Sequence, residues 1–246
     1  MNTHQHTSEV QVFFEPKVVE AGKPTFITIS VTEKGKNLPL EVVHTMRMHL
    51  LLVNEELTWF DHVHPKKQAN GTYGISEIFP SAGKYFLFID CKPIGHAANV
   101  NMKSLEVKGT LLEQEPERNI KLVADIEAYT VSLLNGNDLK TNTGQDLKFL
   151  IEKDGKPIDK KDMQPYLGAN AHIVLINQDD KDFLHIHSMS SAHFPIYAET
   201  YIEKAGLYRM WVQFKIEGKV YTTDFTLQVS KGEEILGSHP IHDVHH

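Results

Sequence analysis

The sequence predicts an all-β protein built as two tandem β-sandwich domains, immunoglobulin-like or cupredoxin-like, related by internal duplication. Three observations lead there: many short runs rich in Val, Ile, Phe and Tyr, little helical periodicity, and a long self-match at one fixed offset. With 246 residues, 41% hydrophobic and 23% charged, the chain is long enough for two packed cores of ordinary size.

The self-match is the most informative of the three. A shift of 123 residues lays His49-Leu-Leu-Leu-Val-Asn54 and Asp61-His62-Val-His64 on His172-Ile-Val-Leu-Ile-Asn177 and Leu184-His185-Ile-His187 without a gap. The same shift carries Ala82-Gly83-Lys84-Tyr85 onto Ala205-Gly206-Leu207-Tyr208, and nearly the same shift pairs Gly22 with Gly144. The expected layout is a His-bearing tail over 1–8, a first domain over 9–109, a linker over 110–118, a second domain over 119–230 and a His-bearing tail over 231–246. The linker rests on Glu113-Gln-Glu-Pro-Glu-Arg118, charged, Pro-containing and aperiodic. Within the first copy the strand-like runs are Glu9 to Phe14, Thr25 to Val31, Met48 to Val53, Thr58 to Val63, Lys84 to Ile89 and Lys103 to Val107. Gly, Pro and Asn punctuate them.

Composition excludes several function classes. The formal charge of −7 is mild, and no Lys/Arg block is present to neutralise a row of phosphates, so nucleic acid is not an expected partner. No apolar run approaches the roughly 18 residues of a spanning helix, so no transmembrane segment is expected, and Met1 to Val10 does not read as an export signal. The single cysteine, Cys91, rules out an internal disulfide and Cys-based zinc or iron–sulfur sites. It aligns with Phe214, which makes it a packing position, and the second copy has no cysteine for a blue-copper centre.

Histidine is left as the main metal-capable side chain, with fifteen in the chain, six of them in the tails. A four-residue loop over Asn54 to Leu57 would pair Val53 with Thr58 and set His49 opposite His62. The equivalent loop, Asn177 to Asp180, would set His172 opposite His185. Opposed residues share a face with Cβ atoms about 4.5–5.5 Å apart, and residues two apart on one strand share that face too. His49, His62 and His64 therefore converge, as do His172, His185 and His187. Three convergent imidazoles suit a zinc or copper ion, whose nitrogen bonds are about 2.0–2.1 Å long. A lone His-x-His is more often two ordinary histidines; it is the recurrence of all three positions that argues for a site.

Further candidates surround the triads. Asp90 and its counterpart Gln213 are placed to orient a ligand imidazole, or are plain strand-end polar residues. His44, Met46 and Met48 alternate towards His49, with Met102 further on; a thioether near the imidazoles would favour copper(I). Regular alternation turns Met46 and Met48 to the core instead. Met189 and His193 follow His187, where the first copy has Pro65-Lys-Lys. His4, His6, His239, His242, His245 and His246 read as solvated tails or as a low-affinity metal antenna.

With these residues in place, the first copy, from His49 through His62-Val-His64-Pro65 to Phe79-Pro-x-x-Gly83-Lys-Tyr85, resembles bacterial extracytoplasmic β-sandwich modules of the YtkA-like and CopC-like kind. Tyr166-Leu-Gly-Ala169-x-x-His172 and Tyr208-x-x-Trp211-Val-Gln213-Phe214 in the second copy are similar to the same group, though Ser188 stands where its pattern has Pro. The resemblance implies copper or heavy-metal handling, a location in the periplasm or at the cell surface, and a metal efflux or delivery protein as partner. The expected function is thus non-catalytic binding of copper, with zinc as the alternative ion, by a chaperone, buffer or sensor. Two other readings compete. A bicupin-like metal-dependent enzyme would need a Glu soon after His64, yet Glu77 is thirteen residues on, and no His follows Gly83-Lys-Tyr85 at a suitable spacing. A structural or adhesion sandwich would use the histidines for packing or pH response.

Overall fold

The computed structural model describes residues 8–43 and 45–233, and it divides into two compact units, Met1–Glu117 and Arg118–His246. The first holds β1 (Glu9–Glu15), β2 (Pro24–Glu33), β3 (Lys36–Asn37), β4 (Met48–Asn54), β5 (Phe60–Val63), β6 (Lys66–Lys67), β7 (Tyr73–Ile78), β8 (Gly83–Cys91) and β9 (Asn99–Val107). The second holds β10 (Val123–Ile126), β11 (Tyr129–Leu133), β12 (Gly144–Lys153), β13 (Lys156–Pro157), β14 (Met163–Gln164), β15 (Ala171–Asn177), β16 (Phe183–His187), β17 (Ile196–Tyr201), β18 (Gly206–Ile216) and β19 (Lys219–Val229). A single 3-10 turn, Lys160–Asp162, is the one helical element among the described residues.

Each unit is a sandwich of two antiparallel sheets. In the first, β1-β2-β7-β6, with β3 beside β2, faces β5-β4-β8-β9. In the second, β10-β11-β12-β13, with β17 on β12, faces β14-β18-β15-β16, with β19 on β18. The inner faces alternate as period-2 strands require. Ile27, Ile29 and Val31 of β2 meet Leu50 and Leu52 of β4 and Leu87 and Ile89 of β8 in one core. Leu147, Phe149 and Ile151 of β12 meet Ile173 and Leu175 of β15 and Met210 and Val212 of β18 in the other.

The duplication extends to fine structure. Buried Tyr85 donates its hydroxyl to the Ser81 carbonyl at 2.9 Å, and buried Tyr208 donates to the Lys204 carbonyl at the same distance. Such a tyrosine, bonded to backbone a few residues upstream at a strand corner, is a hallmark of immunoglobulin-like sandwiches.

Strand β7 lies outside the runs singled out by composition, because Gly74, Ser76 and Glu77 dilute its apolar content. Its place is set by pairing with β2, from Pro24↔Ile78 to Ile29↔Tyr73. Cys91 packs in the first core, where burial and the neighbouring Asp90 push its thiol up to about 12. Thiolate is the reactive form. Cys91 is therefore expected to stay unmodified by an aromatic disulfide reagent at pH 8 in the folded protein and to react fully in denaturant; rapid reaction without denaturant would contradict its placement.

Candidate metal centre

The triads stand on the two-stranded units β4–β5 and β15–β16, whose register differs from the sequence expectation by two residues. Val53 pairs with Phe60 and Leu51 with His62, rather than Val53 with Thr58 and His49 with His62. In the second copy His172 pairs with His187, not His185, which is level with Val174. The cause is the connection. Asn54 Oδ1 accepts from the backbone N–H of Thr58 and Trp59 at 2.9 and 2.8 Å, and Leu57 takes a positive φ of 56°. These bonds close a six-residue loop, Asn54 to Trp59, where four residues were expected. In the second copy Asn177 Oδ1 accepts from Asp179 N–H at 2.9 Å, and Lys181 has φ 61°.

Facing survives this shift. A slip by one residue exchanges the two faces of a strand, whereas a slip by two keeps every side chain on its face. Asn54 is buried, so Asn54→Ala leaves two loop N–H groups without their acceptor. It is expected to destabilise the first domain by about 1–3 kcal/mol, read as a lower urea midpoint. An unchanged midpoint would show that the loop closes without it.

The imidazoles meet at the end of each hairpin away from its loop. His49 Nδ1 lies 3.1 Å from His62 Nε2 and 3.2 Å from His64 Nε2. The ring centroids of the three are 4.7 to 5.3 Å apart. In the second copy His172 Nδ1 lies 3.2 Å from His185 Nε2, and the nearest nitrogens of His172, His185 and His187 all fall within 4.8 Å of one another. The centroids there are 4.5 to 5.4 Å apart. Two nitrogens each about 2.05 Å from one ion are about 2.9 Å apart at a right angle and about 3.3 Å apart at the tetrahedral angle. The observed separations of 3.1–3.2 Å lie between these values.

Protonation favours ligation. His172 Nε2 is 3.0 Å from the Tyr166 carbonyl oxygen. A carbonyl only accepts, so Nε2 carries the proton, and in the neutral ring Nδ1 presents its lone pair to the cluster. His49, His62 and His172 are all at most 5% exposed. Burial lowers the His64 pKa to about 4, which keeps that imidazole neutral. Between the ordinary value near 6.5 and about 4 the unfolded chain binds a proton that the fold refuses, so this contribution is complete above pH 6.5 and is lost as pH falls towards 4. Metal-free protein is expected to lose stability over that window, and His64→Gln to flatten the profile; an unchanged profile would contradict it.

Asp90 pairs directly with His49 across β4–β8, and Gln213 directly with His172 across β15–β18; Gln213 Nε2 also donates to Thr222 Oγ1 at 3.1 Å. Met48 is buried in the first core, on the face opposite His49. Met46 does not continue a strand into β4: it closes a turn against Val43, with Thr45 at φ 67°. Met102, on β9, is half-exposed opposite Phe88. Met189 is tied through its backbone to Tyr197, and the exposed His193 does not join the group formed by His172, His185 and His187. His44 and the histidines of both tails lie outside the described residues. The Tyr166 carbonyl and the Asn54 and Asn177 loop closures have no signal in side-chain chemistry alone, since each depends on which backbone group falls beside which side chain.

The model of a family described as a domain of unknown function (DUF8832) matches residues 5–109 and again residues 124–231. No curated protein matches the sequence. Among solved structures, the chain is similar to FdeC, an Escherichia coli adhesin, at 13% identity and a TM-score of 0.30, covering 90% of this chain and 64% of that one. It is similar to fibronectin(III)-like modules of Clostridium thermocellum CbhA at 15% identity and a TM-score of 0.26, covering 94% and 100%. A Ca2+-stabilised ice-binding adhesin of an Antarctic bacterium gives 10% identity and a TM-score of 0.26, covering 93% of this chain and 49% of that one. The chain thus spans less than two thirds of both adhesins. No helix among the described residues is long and apolar enough to cross a membrane.

Proposed function

We propose, from the premise that this chain belongs to the DUF8832 family and carries its domain twice, that each domain binds one transition-metal ion through its three histidines. The single observation that supports this reading is the pair of triads with nitrogens 3.1–3.2 Å apart, one on each copy of the same hairpin. Neutral imidazoles suit both copper and zinc. Copper is the ion we favour, on the resemblance of the His49–Tyr85 and Tyr166–Phe214 motifs to copper-handling modules; zinc is the alternative. In this reading the protein is a chaperone, buffer or sensor outside the cytoplasm that exchanges its ion with an efflux or delivery protein. The test is elemental analysis of protein purified without a nickel column, followed by titration with Cu2+ and Zn2+. Two ions per chain that stabilise the fold are expected; no ion that shifts the melting temperature would contradict the proposal.

A second reading is favoured by the same separations, since 3.1–3.2 Å is also a nitrogen–nitrogen hydrogen bond. The triads would then be internal polar staples of a structural or adhesion sandwich. The readings part on added metal, because only an ion that binds the folded state better than the unfolded state raises the melting temperature.

A further inference from the structure

The two triads are built alike, but the residue opposite the first histidine of each differs in charge. Asp90 faces His49 across β4–β8, while Gln213 faces His172 across β15–β18. Directly opposed residues share a sheet face with Cβ atoms about 4.5–5.5 Å apart, so a carboxylate stands beside one triad and a neutral amide beside the other. Gln213 is buried, and its amide is bonded to Thr222. On the same face of β15 and β18 lie Val174, Ile176 and Trp211, all nearly fully buried, and the buried Arg209, whose charge is matched by Asp224 across β18–β19.

An ion entering three neutral imidazoles keeps its full charge. The cost of removing it from water rises with the square of that charge, so a dication costs about four times what a monocation does in the same surroundings. A carboxylate beside the site offsets a dication far more than a monocation, and a neutral amide offsets neither by charge. Both metals suit imidazole, so the choice between them falls to this charge difference.

We propose that the two sites hold ions of different charge: His49, His62 and His64, with Asp90 beside them, a divalent ion such as Zn2+ or Cu2+, and His172, His185 and His187, with Gln213 beside them, monovalent copper. This rests on the metal-binding reading above. A chain built so takes up both charge states of copper and does not treat its two domains as interchangeable.

The experiment uses the full chain with one site disabled at a time: His185→Ala keeps the first site and His62→Ala keeps the second. Each variant is titrated with Zn2+, and with Cu(I) under anaerobic, reducing conditions against a chromophoric competitor, with thermal stabilisation read in parallel. Zn2+ is expected to bind the first site about tenfold or more tightly than the second, with the preference for Cu(I) over Zn2+ greater at the second. Asp90→Asn should weaken Zn2+ at the first site about tenfold with little change for Cu(I), and Gln213→Glu should strengthen Zn2+ at the second. Equal Zn2+ affinities at the two sites, or no response to either charge change while both ions still bind, would overturn the assignment and leave the metal-binding reading standing. Absence of stabilising binding by either ion in the unsubstituted chain would overturn both.

Discussion

Replacing His62 and His185 together by alanine is expected to abolish the rise in melting temperature that the metal-binding reading predicts for the unsubstituted protein with Cu2+ and Zn2+. In each triad the substituted residue supplies an Nε2 within 3.2 Å of the first histidine's Nδ1, so two nitrogens remain where three converged. An ion at one hundred times its dissociation constant stabilises the domain that holds it by about 2.7 kcal/mol. That increment should vanish from both domains. Melting temperature is the right observable here because His4, His6, His239, His242, His245 and His246 can hold metal in any chain, folded or not. Ions bound equally to folded and unfolded states contribute nothing to stability. The single variants should each lose the increment in one domain. A double variant that is still stabilised by metal would exclude the triads as the sites.

The second large effect is expected from Asp224→Ala, at about 3 kcal/mol of destabilisation in the second domain. Arg209 is buried, with Nη2 2.7 Å from Asp224 Oδ2, Nη1 2.7 Å from Thr226 Oγ1 and its guanidinium 5.5 Å from the Trp211 ring. Asp224 also receives Lys121 at 2.9 Å. Burial acts to raise the Asp224 pKa, but the bonds from Lys121 and Arg209 outweigh it and hold the carboxyl below its ordinary value. Removing the carboxylate leaves a buried cation without its counter-charge. Removing the cation is different: Arg209→Met keeps an apolar stem on Trp211, and Asp224 keeps Lys121. We expect Arg209→Met to cost about 1 kcal/mol, because the carboxylate left behind is 37% exposed to water and keeps Lys121 as a partner, so no buried charge is stranded. Equal losses in the two variants, measured by urea unfolding, would contradict this asymmetry.

The sandwich was legible because both cores follow strand alternation and because the repeat carries the pattern twice. Leu50 and Leu52 face the core while His49 and Leu51 face away, and Ile173 and Leu175 stand in the same relation to His172 and Val174. The faces of the six histidines follow from parity alone. The register does not, since it depends on how Asn54 and Asn177 fold their loops, and a side chain bonded to its own following backbone leaves no periodic trace. Gly206 shows what the retained Ala-Gly-x-Tyr motif protects: its φ is +148°, and a Cβ there would stand 2.7 Å from Asn177 Nδ2. The strand begins at Met48 and a turn at Thr45 precedes it, so Met46 does not share the alternation of β4. Asp90 and Gln213 were found from alignment of the copies, but their station directly across from His49 and His172 is a property of the β4–β8 and β15–β18 ladders.

The central claim is that each triad coordinates one metal ion, and anomalous diffraction from crystals grown with copper and zinc, recorded at both absorption edges, tests it most directly. The account predicts one peak about 2.0–2.1 Å from His49 Nδ1, His62 Nε2 and His64 Nε2, and a second at the same distance from His172 Nδ1 and His185 Nε2, with His187 as third ligand. Triads free of anomalous density in crystals supplied with both ions would contradict it, and would identify the six histidines as hydrogen-bonded parts of a purely structural sandwich.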